Sequence, residues 1–290
     1  MAEFAQHIIN ALILGGTYAL LGIGLTLIFG IMKVVNFTHG ELYTFGAYMV
    51  FFFASILNLN FFVSIAAAMG LGLLLGAVIE FSLLRKLRGA DIDTTMLVMI
   101  GAWIFLQNAE QMTWTGVAKS VSHPFPVDPL VFGDVSVSWL RLFVFIFALI
   151  LIALTYYLIH RTKFGKAMRA TFQDSDTAAL MGVNINGICT ATFALGSGLA
   201  ATAGALLGPV FVIMPTMGDG AALKAFAIVI LGGLGNIVGA TLGGFILAVV
   251  EELGAGYISS GYRDAMSFLL IIIVLVYRPT GLFAQKDRIG

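Results

Sequence analysis

Charge is what this 290-residue sequence has least of. Only 10% of its residues are Asp, Glu, Lys or Arg, against 60% that are apolar. A soluble domain carries about 25% charged residues, so a water-facing surface of ordinary composition is excluded. Lys plus Arg and Asp plus Glu both number 15. No net charge points to a polyanionic partner, and the basic face a nucleic-acid binder needs is missing. With one cysteine, Cys189, an internal disulfide is ruled out; in its apolar surroundings Cys189 reads as an inert packing residue. Catalytic signatures are missing too. There is no GK[ST] of a phosphate-binding loop, no HExxH and no GxSxG, so no ATP binding and no catalytic residue is expected in this chain. His39 and Glu41 lie close together but lack the further ligands a metal would require.

Long apolar runs are what the sequence does contain. Backbone groups in lipid must be satisfied internally, which leaves helices or a closed barrel. A barrel would show short stretches of period-two alternation; unbroken runs over 8–32, 42–79, 94–109, 142–159, 188–213, 225–250 and 265–277 favour helices instead. A spanning helix needs about 20 residues. The run over 42–79 is therefore two spans, divided at Asn58-Leu59-Asn60, and the last run must begin before 265. The segment over 110–141 is polar for this chain and holds Pro124, Pro126 and Pro129, three of the six prolines, which predicts an ordered external loop. The N-terminus lacks a basic n-region, so no cleavable signal peptide is expected.

Basic residues cluster over 85–88, 161–169 and 278–288. The positive-inside rule puts all three on the cytoplasmic side and the N-terminus outside. An even number of crossings must then separate Arg169 from Arg278, so the run over 225–250 has to split at Gly232, Gly233, Gly235 and Asn236, as two crossings or a crossing plus a deep half-helix. The result is an all-α, polytopic membrane bundle of about eight or nine spanning elements in one domain over 1–290. No internal repeat is evident along it, although weak inverted symmetry is common in transporters.

Three features invite a functional reading. Asn36, Thr38, His39 and Glu41 lie between two apolar runs. They are either a broken helix lining or gating a solute path, or an ordinary turn with His39 and Glu41 hydrated. The loop over about 161–186 contains Gly165, Lys166, Arg169, Asp174, Asp176, Leu180 and Gly182. Asp174 or Ser175 is a plausible N-cap and Gly182 a plausible helix stop. The short helix so bounded suits docking into a groove on another protein, or the loop is simply a charged surface connection. Glycine recurs at four-residue spacing, as in Gly196, Ala200, Gly204 and Gly208, which lets helices approach closely. Glu80, Glu110, Glu251 and Glu252 lie near expected helix ends and read as interfacial anchors.

Four separated motifs resemble one family. They are Gly15-Gly16-Thr17-Tyr18-Ala19-Leu20 with Val35-Asn36-Phe37-Thr38-His39-Gly40-Glu41; Gly165-Lys166-Ala167-Met168-Arg169-Ala170 with Ala178-Ala179-Leu180-Met181-Gly182-Val183-Asn184; Leu231-Gly232-Gly233-Leu234-Gly235-Asn236; and Tyr277-Arg278-Pro279-Thr280-Gly281-Leu282-Phe283. Together they are similar to the branched-chain amino acid permeases of bacterial ABC importers, with a length that suits the smaller of two paralogues. The resemblance implies a type II importer-like bundle in the bacterial inner membrane. It pairs with a second permease, identical or paralogous, and with two cytoplasmic ATPases that bind ATP and Mg, and it receives solute from a periplasmic binding protein. The loop over 161–186 would be the ATPase coupling loop. Urea or short-chain amides are the alternative solutes within that subfamily, and a stand-alone ion-coupled transporter is the alternative of a different class.

Overall fold

Each apolar run forms a helix because no other open backbone conformation satisfies its own amides in hydrocarbon. The breaks fall where capping side chains or special backbone angles occur. Asn60, Ser138, Thr162, Asp174, Asn184 and Asn236 each accept a backbone N–H at a helix start. Asn58 (φ 54°) turns the chain at the division expected from sequence, and Gly233 (φ 83°) and Gly235 (φ 79°) turn it at the glycine cluster. The computed structural model describes residues 2–133, 135–278 and 280–283. Of the basic ending expected over 278–288, Pro279 and residues 284–288 lie outside the described residues.

The helices are α1 (Ala2–Met32), α2 (His39–Val50, continued by a π-helical turn Phe51–Ile56), α3 (Phe61–Ser82), α4 (Ile92–Trp114), α5 (Trp139–Arg161), α6 (Lys163–Gln173), α7 (Ser175–Leu180), α8 (Ile185–Leu207), α9 (Met217–Gly232), α10 (Ile237–Tyr257) and α11 (Arg263–Tyr277). Among the described residues, seven are long and apolar enough to cross a membrane: α1, α3, α4, α5, α8, α10 and α11. The shorter α2 and α9 complete the bundle. The polar loop before α5 carries a small antiparallel hairpin, β1 (Leu130–Phe132) with β2 (Val135–Val137), tied to α1 by Gln6 and Ser136.

Burial sorts these helices. The apolar stretch of α1 is 89% buried and that of α8 78%, against 11% for α4 and α11. A helix apolar all round and buried all round is central, so α1 and α8 form the axis and α4 and α11 the rim. They meet at Gly24 and Gly196, where a Cβ on either would lie 2.6 Å from the other's carbonyl oxygen.

Two boundaries differ from expectation. The helix expected to run to 213 stops at Leu207, and the next begins at Met217 rather than near 225. Gly208 is still helical (φ −51°, ψ −48°), and Pro209 ends the first because it has no N–H to continue the ladder. The second starts early because Asp219 and Lys224 are held inside the bundle by partners, Asp219 by Gln107 and Lys224 by Glu251. A charge therefore does not mark the membrane boundary here.

Two similarly arranged helix pairs stand in the bundle with opposite sense. The central helices α1 and α8 are each followed by an irregular stretch and then by a short helix, α2 or α9. Thr17-Tyr18-Ala19-Leu20 on α1 answers Thr192-Phe193-Ala194-Leu195 on α8. The two short helices run in opposite directions. Along α4, the start of α2 (Thr38) meets Met99, Glu41 meets Trp103 and Tyr48 meets Trp114. Along α9 the order reverses: Asp219 meets Gln107, whereas Gly235, just past its end, lies beside Gly30 and Phe172 at the basic end.

Candidate translocation site and docking loop

The polar break after α1 is not a hydrated turn. Residues 33–38 fold back beside the helices, and Thr38 donates to the carbonyl of Met99 at 3.0 Å. Met99 lies about 10 Å along α4 from Ile92 at the helical rise of 1.5 Å per residue. Nε2 of His39 donates to the carbonyl of Leu21 at 2.9 Å, deep within α1. Asn36, Thr38, His39 and Glu41 are all fully buried. Burial removes the hydrated turn from the two readings of this motif and leaves a buried break between α1 and α2. Both amide atoms of Asn36 and Nδ1 of His39 lack a partner, and buried polar atoms in that state call for water or a ligand.

The starts of α2 and α9 oppose each other here. A Cβ on Gly40 would overlap the Gly218 carbonyl, and a Cβ on Gly218 would sit 2.7 Å from Oε1 of Glu41. Only glycine permits this approach. Glu41 accepts from the indole of Trp103 at 3.0 Å, and Asp219 accepts from Gln107 at 2.8 Å. Neither helix start carries a side-chain cap. Half-helices meeting near mid-membrane are how several transporters build a solute site.

The second group of path candidates lies elsewhere. Gly232, Gly233, Gly235 and Asn236 connect α9 to α10 at the basic end. Asn236 caps α10 through the N–H of Gly239 and donates to the Phe283 carbonyl at 2.7 Å. Gly235 packs against Phe172 of α6, a residue the sequence did not single out. A cavity of about 720 Å³ opens there, lined by Thr26, Lys33, Arg169, Phe172, Gly235 and Asn236 among others. The structure thus joins the glycine turn to the docking loop rather than to Glu41.

Within that loop, α6 and α7 are separate capped helices. Gly165 packs so closely on Ile159 that a Cβ would collide with its backbone. Arg169 donates to the Ile159 carbonyl at the end of α5, so it positions α6 rather than standing free. Lys166 is on the same helix and Asp176 lies in the first turn of α7. Asp174 accepts from the N–H groups of Asp176 (2.9 Å) and Thr177 (3.0 Å) and from the Thr177 hydroxyl (2.7 Å). Gly182 (φ 85°) closes the helix as expected. Leu180 and Met181 are 88% and 82% exposed.

Those bonds, the Thr177 hydroxyl first, hold the Asp174 carboxyl below its usual range. The sign follows directly. A lowered folded-state value means the cap's contribution is complete above the ordinary carboxylate range and is lost as pH falls through the lowered value. At neutral pH, Asp174→Ala should speed amide hydrogen exchange over 175–181, whereas Asp174→Asn, also a capping residue, should leave it near wild type. Equal exchange in all three would refute the cap.

The four glutamates Glu80, Glu110, Glu251 and Glu252 are buried within the bundle. For three of them the reason is a partner on a neighbouring element. Glu80 pairs with Arg88 and accepts from Thr190 at 2.5 Å; Glu252 pairs with Arg263 at 2.6 Å; Glu251 pairs with Lys224 at 3.0 Å. Glu110 has no such partner. It lies within hydrogen-bonding reach of Glu41 instead, and two carboxyls so placed share a proton.

A bundle of apolar helices with two broken elements and ionisable groups gathered at the breaks defines a polytopic membrane transport component. The chain belongs to the family described as "Branched-chain amino acid transport system / permease component", which matches residues 7–275. It is 36% identical to the high-affinity branched-chain amino acid transport system permease protein BraD of Pseudomonas aeruginosa, over 98% of this chain and 97% of the relative. Identity to the corresponding permease LivH of Escherichia coli K12 is 35%, over 98% and 96%. The ribose import permease RbsC of Escherichia coli K12 is 25% identical, over 93% and 85%. No solved structure matches.

Proposed function

We propose that this chain is the transmembrane permease subunit of an ABC importer that moves branched-chain amino acids into the cytoplasm. The observation that carries the reading is identity of 36%, sustained over 98% of the chain, to a permease named for that transport. The ribose permease is markedly more distant at 25%, which favours amino acids over sugars. The partners in this reading are a second permease, identical or paralogous, two cytoplasmic ATPases holding ATP and Mg, and a periplasmic binding protein, all assembled at the inner membrane. Solute passes between the two permeases, and α6 and α7 take up the motion of the ATPases. Gly165 and Arg169 fix that element to α5, while Leu180 and Met181 offer an apolar surface at the basic end.

Proteoliposomes holding the chain with its co-purified subunits test the reading. Labelled leucine should accumulate only with ATP and the binding protein. Uptake driven by an ion gradient without ATP would replace it with a secondary transporter, and uptake of urea but not leucine would change the solute class. The docking element has its own test. Leu180→Asp should lower uptake about tenfold or more, because an unpaired charge in an apolar contact costs at least 1.4 kcal/mol, with folding unaffected since the side chain is exposed. Undiminished uptake would remove α7 from the coupling surface.

A further inference from the structure

The basic end of the bundle holds more cations than it has partners for them. The cavity of about 720 Å³ beside the glycine turn lies there, within the usual range for a small-ligand site, about 300–1,000 Å³. Lys33, His160 and Arg169 line it, and among the described residues no carboxylate does. Nor does any ion pair among those residues include Lys33 or Arg169. Arg169 spends one N–H on the Ile159 carbonyl, which leaves its charge uncompensated. Asp174, close by in sequence, is committed to the start of α7. Lys33 also borders a cavity of about 340 Å³, but the other cation there, Arg88, already holds Glu80.

Lys33 is placed at a backbone cost. Its φ is 53°, in the left-handed region where glycine usually ends a helix. Its N–H closes α1 on the Phe29 carbonyl at 2.8 Å, a bond glycine would make equally well, so the fold itself does not call for an ammonium group. An independent observation lies deeper. Thr26 is fully buried on the wall of the same cavity, and its hydroxyl has no partner. Thr44, Thr192 and Thr202, equally buried on their helices, return theirs to the carbonyl one turn back; Thr26 does not. A buried donor left in that state calls for water or a ligand.

From Thr26 to Lys33 is about 10 Å along the helix at 1.5 Å per residue. The cavity thus offers cations at its rim and a hydroxyl donor below them, beside the apolar side chains of Leu27, Ile31, Ile237 and Val238. A free phosphate reaches one of these depths only. A phospholipid has acceptors at both, the phosphate above and the glycerol ester carbonyls below, with acyl chains to follow the apolar wall. The depth fits as well. Tyr156 and Tyr157 are exposed one turn before His160 on α5, and tyrosine favours the headgroup level of a bilayer. Helices α5 and α10 both pack on α1, and Val238 and Leu242 of α10 are exposed, which gives the chains an apolar lane. With no carboxylate to meet a choline or ammonium group, the lining selects an anionic headgroup, as basic pockets between spanning helices do.

We propose that Lys33, Arg169 and Thr26 form a site for an anionic phospholipid, the two cations holding its phosphate and the Thr26 hydroxyl donating to an ester carbonyl. The site does not depend on which solute the chain carries.

The assembled transporter in detergent is titrated with dioleoylphosphatidylglycerol, dioleoylphosphatidylcholine or inorganic phosphate, and bound lipid is counted by native mass spectrometry. Phosphatidylglycerol should bind saturably, and about tenfold or more weaker in Lys33→Gly, as when one charge-assisted bond is lost. Thr26→Val should weaken it about two- to tenfold, the loss of one neutral bond. Neither variant should lower the unfolding midpoint measured without added lipid, since glycine suits the φ of 53° and valine removes a hydroxyl that bonds nothing. Phosphatidylcholine bound as tightly as phosphatidylglycerol, or unchanged affinity in either variant, overturns the site. Displacement of the lipid by millimolar inorganic phosphate also overturns it, in favour of a soluble anion.

Discussion

Lys224→Met should destabilise the folded chain by about 3–5 kcal/mol, the usual result of removing one member of a buried ion pair. Nζ of Lys224 lies 3.0 Å from Oε2 of Glu251 and donates to the Tyr18 hydroxyl at 2.9 Å. That hydroxyl donates in turn to the same carboxylate oxygen at 2.8 Å, and Ser267 bonds the other oxygen. One ammonium thus joins α1, α9, α10 and α11. Without it, Glu251 remains fully buried with two neutral donors and no counter-charge. The contact to Asp264 at 3.3 Å adds little, because that carboxylate is 70% exposed and screened. The double variant Lys224→Met with Glu251→Gln should recover most of the loss, since a neutral amide needs only the hydrogen bonds still on offer. Thermal unfolding in detergent reads both. A wild-type midpoint for Lys224→Met would show the pair to be dispensable.

A second large effect is expected where α2 crosses α8. A Cβ at Gly46 would overlap the backbone of Ala201, and one at Gly204 would overlap the backbone of Tyr43. Backbone cannot rotate out of the way as a side chain can. Gly46→Val and Gly204→Val must therefore part the helices, at about 1–3 kcal/mol each and more if the crossing opens. Because α2 carries Glu41, such a shift should also strain its bond to Trp103. Gly70→Ala and Gly101→Ala are the controls. Nothing lies within 4 Å of a Cβ at either, so these should be neutral or slightly stabilising, given alanine's better helix propensity. Folded yield and unfolding midpoint, compared across the four, decide whether close approach is the reason for the glycines. Equal loss in all four would point to backbone flexibility instead.

Much of the bundle was legible in the sequence because hydrocarbon imposes one rule on every run: satisfy the backbone internally. That rule, with Asn60, Asp174, Gly182, Gly233 and Asn236 as local stops, places most boundaries within a few residues. It misled at Asp219 and Lys224, where charge was taken as the edge of a span. The polar motif at Asn36, Thr38, His39 and Glu41 was visible as a composition anomaly, but its depth was not. Depth follows from the chain folding back against Leu21 and Met99, contacts with partners far along the chain. The glutamates failed for a related reason: proximity to a helix end is a one-dimensional measure, while burial depends on whether Arg88, Lys224 or Arg263 arrives from another helix.

The sequence alone determined that this is a helical membrane protein with its basic loops on one side, because both conclusions depend on composition and on the cost of exposing backbone to lipid. It also marked the capped helices of the loop over 161–186, whose caps and stop are local. Tertiary structure decided the rest. It opposed two half-helices through Gly40 and Gly218, set the glycine turn against Phe172 of α6, and brought Glu110 to Glu41. Coulomb energies and hydrogen bonds depend on distances in space, and residues some 180 positions apart acquire such distances only when the helices pack.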